Sequence, residues 1–161
     1  MALEEQVVAL LMEKGWHIAF AESCTAGLCA ATLVNVTNAS TVLDVSFTTY
    51  SNESKMEYLG VQADTILAHG VVSEKVAFEM ATGVANAAKA EVGVGVTGIA
   101  GPGGGTAKKP VGMVCFGFYV NGETKTYTKQ FGELGRQQVR KSSVEFVYQT
   151  LIDLLKNENK A

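Results

Sequence analysis

At 161 residues, with 47% hydrophobic and 18% charged side chains, the chain matches one compact globular domain, with disorder expected only in the terminal stretch from Lys156 to Ala161. A net charge of −3, two arginines (Arg136 and Arg140) and no basic stripe interleaved with aromatics argue against a nucleic-acid binder. The acidic start Met1-Ala2-Leu3-Glu4-Glu5 does not suit a signal peptide, and the apolar runs are too short to span a bilayer, so a cytoplasmic protein is expected.

In chain order, Leu3, Val7, Leu10 and Leu11 stand at helical spacing, and Gly15 is a natural stop for a helix over Leu3–Lys14. His17 to Phe20 reads as a short strand and Thr25 to Val34 as a helix of small residues. Val45 to Tyr50 alternates and is β-branched, so it reads as a strand. Ser51 caps a predicted helix that runs through Leu59 and ends at Gly60. Ser73 caps another over Glu74 to Lys89, with Val76, Met80, Val84 and Ala87 on one face. Val92–Thr97 and Val111–Val120 read as strands, and Asn121-Gly122 joins the latter to Thr124–Phe131 through a type I′ hairpin. A last helix spans about Arg136 to Lys156. Helices alternating with strands, interrupted by one hairpin, predict a single three-layer α/β/α domain over residues 1–161 with a mixed, mostly parallel sheet.

Between two predicted strands lies Thr97-Gly98-Ile99-Ala100-Gly101-Pro102-Gly103-Gly104-Gly105-Thr106. Glycines at a strand end let backbone N–H groups approach an anionic or developing-negative atom. Such a loop is otherwise only a long turn. Gly93-Val94-Gly95-Val96-Thr97-Gly98 fits G-x-G-x-x-G formally, but its glycines lie inside a strand and no helix opens after them. No Asp or Glu follows before Glu123 to hold a ribose, and no Gly-Lys-Ser/Thr completes a Walker loop. Both nucleotide motifs are rejected.

Three strand ends carry the reactive side chains. Ala21-Glu22-Ser23-Cys24-Thr25-Ala26-Gly27 follows the first strand where a helix is expected to begin. Tyr50-Ser51-Asn52-Glu53-Ser54-Lys55 follows another, and the Thr97 loop the third. Ligands in open α/β sheets bind outside the carboxyl ends of strands, so the three could line one cleft. Ser23 lacks the glycines of a nucleophile elbow, and His17 and His69 are badly placed as bases. Lys55 is better placed, provided burial lowers its pKa, and Tyr50 could relay a proton or orient the nucleophile. A Ser–Lys pair with a glycine-loop oxyanion site suits acyl transfer such as amide hydrolysis.

Plainer readings stand beside this one. Ser23 and Thr25 are ordinary helix caps, Lys55 an ordinary solvated lysine, and Lys108 and Lys109 exposed neighbours of the loop. Arg136 and Arg140, four apart, either clamp a phosphate or are wet surface. Cys24 is a competing nucleophile, because a thiol at a helix N-terminus has a depressed pKa. Cys24, Cys29 and Cys115 form no C-x-x-C pair and His17 and His69 lack ligand spacing, so neither disulfides nor a metal site is expected. Cys115 reads as a small buried hydrophobe.

Taken together, Glu22–Gly27, Tyr50-Ser51-Asn52 with Lys55, His69–Glu74, Val96–Gly105 with Pro110-Val111-Gly112, and Gly135-Arg136 with Val139-Arg140 resemble the successive motifs of the CinA C-terminal domain family. The resemblance covers about Glu5 to Leu155 and implies hydrolysis of the carboxamide of nicotinamide mononucleotide (NMN) in pyridine-nucleotide recycling. It implies Ser23 as nucleophile, Lys55 as its base, and Tyr50 and Thr97 as supporting polar groups. Thr25, Gly98, Gly101, Gly103, Gly104 and an arginine from Arg136–Arg140 are its substrate-binding candidates. NMN is the expected small-molecule partner, without cofactor, metal, nucleic acid or membrane, and the protein is expected to be a homo-oligomer. The large N-terminal domain of longer CinA proteins is not in this sequence, so its activity is not expected. The family's link with competence and DNA damage gives the second reading, a non-catalytic nucleotide-binding or interaction module. Two departures stand out. Ala26 occupies a position often held by glycine, which is tolerable where the backbone does not need positive φ. Gly135-Arg136 lacks the polar residue commonly found between them.

Overall fold

The computed structural model describes residues 1–158. Its elements are α1 (Leu3–Lys14), β1 (Ile18–Glu22), α2 (Leu28–Val34), β2 (Phe47–Thr48), α3 (Asn52–Leu59), α4 (Ala63–His69), α5 (Glu74–Ala88), β3 (Val92–Gly98), β4 (Met113–Val120), β5 (Glu123–Gln130) and α6 (Arg136–Asn157). The strands form one sheet in the order β2-β1-β3-β4-β5. One face carries α1, α2 and α6 over a core that includes Val7, Leu11, Phe20, Phe116, Tyr148 and Leu151. The other carries α5, with Ala19, Ala21, Met80 and Val84 between helix and sheet. This is the expected three-layer α/β/α domain with a mixed sheet.

The expected parallel majority is instead an even division. β1 pairs in parallel with β2 and β3, whereas β3–β4 and β4–β5 are antiparallel. The cause is the glycine loop, which returns the chain directly alongside β3 with no crossover helix. Asn121 and Gly122 both have positive φ, as a type I′ hairpin requires.

Local signals placed most boundaries. α1 ends at Gly15 in the left-handed region, with the Gly15 N–H turned back onto the Leu11 and Met12 carbonyls. Ser51 caps α3 through the Ser54 N–H, and Ser73 caps α5 through the Val76 N–H. Other expectations need correction. The strand expected over Val45–Tyr50 shrinks to Phe47–Thr48, because the Phe20 N–H bonds the Ser46 hydroxyl and not a ladder carbonyl. β4 starts at Met113, not Val111, since Pro110 has no N–H to give the ladder and Gly112 sits at φ 91°. α4 was not foreseen, and it ends at His69, which was expected in a loop. Lys156 and Asn157 are helical, while the disorder expected for 159–161 lies outside the described residues.

The helix expected from Thr25 begins only at Leu28. Residues 23–27 form a turn in which Ala26 (φ 46°) and Gly27 (φ 98°) are left-handed. Neither Ser23 nor Thr25 caps a helix. The first turn of α2 is served by Glu22, whose Oε1 and Oε2 accept from the Cys29 and Ala30 N–H groups at 2.8 and 3.0 Å.

Candidate active site

β1 connects through α2 to β2 on one side and is flanked by β3 on the other, reached through α3–α5 on the opposite face. Such a reversal of winding opens a crevice at the carboxyl ends of the parallel strands. The Ser23 turn continues β1 there, tied to β3 by the Ser23 N–H to Val96 carbonyl bond (3.0 Å). Thr49 continues β2, tied to β1 by its N–H to the Glu22 carbonyl (2.9 Å). The glycine loop continues β3. A cleft of about 430 Å³ occupies the crevice, lined by Ser23, Cys24 and Tyr50 on one side and by Gly98–Gly101, Gly103 and Gly104 on the other. Gly70, Val71, Val72, Thr106, Lys109 and Arg136 complete its wall.

Lys55 is not a solvated helix residue. It is 1% exposed, and its Nζ donates to the Thr49 carbonyl at 2.6 Å and to Ser23 Oγ at 3.1 Å. No carboxylate bonds it among the described residues. Burial therefore favours the neutral amine and draws the Lys55 pKa below the ordinary lysine value. A buried lysine of lowered pKa within hydrogen-bond reach of a half-buried serine at a cleft wall has the geometry of a base beside a nucleophile.

Cys24 does not meet the conditions set for a competing nucleophile. No helix begins at it, it is buried, and desolvation pushes its thiol up to about 11. Cys115 is a buried member of a small apolar cluster with Val72 and Ala77.

The remaining candidates divide between the cleft and its supports. Gly98, Gly101, Gly103, Gly104 and Arg136 line the cleft, as does Tyr50. The Tyr50 hydroxyl accepts from Arg136 Nη2 (2.8 Å) and has no bond to Ser23 or Lys55 among the described residues, so of the two routes considered for the Ser23 proton the direct one to Lys55 is the one the contacts support. Arg136 Nη1 donates to the Gly101 carbonyl (2.9 Å), tying α6 to the glycine loop. Thr97, Thr25 and Arg140 do not reach the cleft. The Thr97 hydroxyl donates to the Val71 carbonyl (2.9 Å) and so holds the α4–α5 connection over the end of β3. Thr25 is buried with its Oγ1 unpartnered among the described residues. Arg140 donates to the Cys24 and Thr25 carbonyls. Lys109, expected to be exposed, is half-buried and donates to the His69 carbonyl.

Two contributors escaped the sequence reading. Glu22 anchors α2 directly after the sheet, and its signal was an acid ending the otherwise apolar strand Ile18–Glu22. The Thr49 carbonyl, partner of Lys55, gave no signal, because a backbone acceptor is silent in sequence.

Fold and site define a three-layer α/β domain with a serine in the wall of a glycine-lined cleft at the switch point of its sheet and a buried lysine bonded behind that serine. The profile of the CinA C-terminal domain matches residues 1–155, and the chain belongs to that family. It is 45% identical over 157 residues to the nicotinamide-nucleotide amidohydrolase PncC of Enterobacter agglomerans, covering 96% of this chain and 95% of that protein. It is also 45% identical over 158 residues to a CinA-like protein of Kosmotoga olearia, of which it spans 38% of the length. The crystal structure of a CinA superfamily protein from Klebsiella pneumoniae superposes with TM-score 0.92 at 33% identity, covering 96% of each chain. A competence/damage-inducible protein from Agrobacterium tumefaciens gives TM-score 0.89 at 38% identity, covering 94% of each.

Proposed function

We propose that the protein is an amidohydrolase that converts NMN to nicotinic acid mononucleotide and ammonia with no metal, as a step in pyridine-nucleotide recycling in the cytoplasm. The observation that carries this reading is the 3.1 Å contact between a buried, uncompensated Lys55 and Ser23 on the cleft wall. The near full-length similarity to PncC supports the substrate. Ser23 Oγ attacks the carboxamide carbon as neutral Lys55 takes its proton. The C–N bond then breaks, Lys55 returns the proton to the leaving nitrogen, and ammonia departs. Water, deprotonated by Lys55, adds to the Ser23 ester; Lys55 hands that proton to the departing Ser23 Oγ, and the acid product releases its own proton to give the carboxylate. Arg136 at the cleft wall meets the phosphate, and the peptide wall from Gly98 to Gly104 lets the flat ring lie close to the backbone. In this reading the protein acts as a homo-oligomer.

The test is incubation of the purified protein with NMN and EDTA. Equimolar ammonia and nicotinic acid mononucleotide are expected. Tight NMN binding by calorimetry without ammonia release would make the protein a binding module instead.

A further inference from the structure

Arg140 stands one turn beyond Arg136 on α6 but lies off the cleft. Its Nε donates to the Cys24 carbonyl at 2.9 Å and its Nη2 to the Thr25 carbonyl at 3.2 Å. Both carbonyls belong to the turn that carries Ser23. The turn is closed by the Ala26 N–H donating to the Ser23 carbonyl (3.0 Å), so Cys24 and Thr25 are its central residues. The peptide between them is the unit whose orientation separates type I from type II turns, which differ by about half a revolution of that plane. Thr25 is outside the left-handed region, consistent with the type I orientation.

With the Cys24 and Thr25 carbonyls both held by α6, the turn cannot swing without breaking two charge-assisted bonds. Thr25 itself is fully buried and outside the cleft lining, so what the lock sets is the place of Ser23. Ser23 and Cys24 face the cleft on the side that Arg140 does not. Glu22 fixes the far end of the same segment through the Cys29 and Ala30 N–H groups. The nucleophile turn is thus gripped by an arginine on its carbonyls and a carboxylate on the amides beyond it.

We propose that Arg140 is a positioning residue of the amide hydrolysis: by holding the Cys24 and Thr25 carbonyls it fixes the turn so that Ser23 Oγ stays within hydrogen-bond reach of Lys55 Nζ. The proposal rests on the Ser23 amidase reading. Alignment of the nucleophile with its base matters in the bond-making step, so loss of the lock lowers kcat and leaves substrate binding in place.

The test compares steady-state constants for NMN in the wild type, Arg140→Ala, Arg140→Lys, Arg136→Ala and Ser23→Ala. For Arg140→Ala the expected result is a kcat loss on the order of 10²-fold with KM within about threefold. Added guanidinium should restore part of that kcat saturably. Arg140→Lys, one ammonium for two carbonyls, should fall between, and Arg136→Ala should raise KM. If Arg140→Ala does not fold, the constants of Arg140→Lys decide by the same criterion. A KM raised about tenfold with kcat retained would overturn the proposal, as would a kcat loss that neither lysine nor guanidinium recovers. Undiminished turnover by Ser23→Ala would overturn the amidase reading itself, and is distinguishable because it leaves the Arg140 constants untouched.

Discussion

The face of the sheet under α5 and the carboxyl edge of its parallel strands are built on opposite terms. Under α5 the contacts are between backbones. A Cβ on Gly93 would collide with the Ala81 carbonyl, one on Gly95 would lie 2.7 Å from the Ala77 carbonyl, and one on Gly117 would also meet the Ala77 carbonyl. Ala77, Ala81 and Ala85 complete this close seat, so the glycines of the G-x-G pattern serve helix packing and not a nucleotide. At the carboxyl edge the same fold keeps a buried lysine without a counter-charge and two buried threonine hydroxyls without partners among the described residues, together with an alanine at φ 46°. One region holds the domain together. The other gives up stability where the cleft opens and the proposed chemistry lies.

Substitutions sharpen the contrast. Gly95→Ala should destabilise by roughly 1–3 kcal/mol through overpacking, seen as a lower Tm with kcat per folded molecule unchanged. Lys55→Met should do the reverse, abolishing turnover while raising stability on the order of 1 kcal/mol in urea unfolding. Lys55→Arg should abolish turnover too, since a guanidinium does not act as a base near neutral pH. Ala26→Gly should add about 1 kcal/mol by relieving a left-handed non-glycine residue, without loss of activity. Smallest of all, Gly103→Ala should change stability by less than about 0.5 kcal/mol, because its Cβ would enter open space. A raised KM in that stable variant would show the ligand lying against the loop backbone.

The pH response separates the two regions as well. Lys55 in the folded protein has a pKa below its unfolded value. Between those two values the native lysine is neutral while the unfolded one still holds a proton, so stability rises with pH across that window. Turnover rises through the folded pKa as the base becomes free. Lys55→Met should flatten the stability slope there, whereas Gly95→Ala should keep it.

Features fixed by neighbours in sequence were legible. Gly15, Ser51, Ser73 and the Asn121-Gly122 turn each act within a few residues, and each marked its boundary. The convergence of three strand ends followed from alternation and the switch-point rule. What escaped was decided across the fold. α4 has no buried residue, so no apolar periodicity announced it. The start of α2 looked capped by Ser23 or Thr25, but its carboxylate comes from Glu22, which no capping spacing points to. Arg136 and Arg140 share one spacing and meet different partners, a cleft and a turn, which only the packing of α6 reveals. The resemblance implies Thr97 as a supporting polar group, and which carbonyl its hydroxyl meets, that of Val71, is set by the packing of the α4–α5 connection on β3.

The central claim is that Ser23 is the nucleophile for an amide substrate held against the glycine loop. Its most direct test is ammonia release from NMN by folded Ser23→Ala beside the wild type. A loss on the order of 10⁴-fold or more, with NMN still bound, is the expected result. Turnover within about tenfold of the wild type would place the bond-making atom elsewhere and contradict the mechanism.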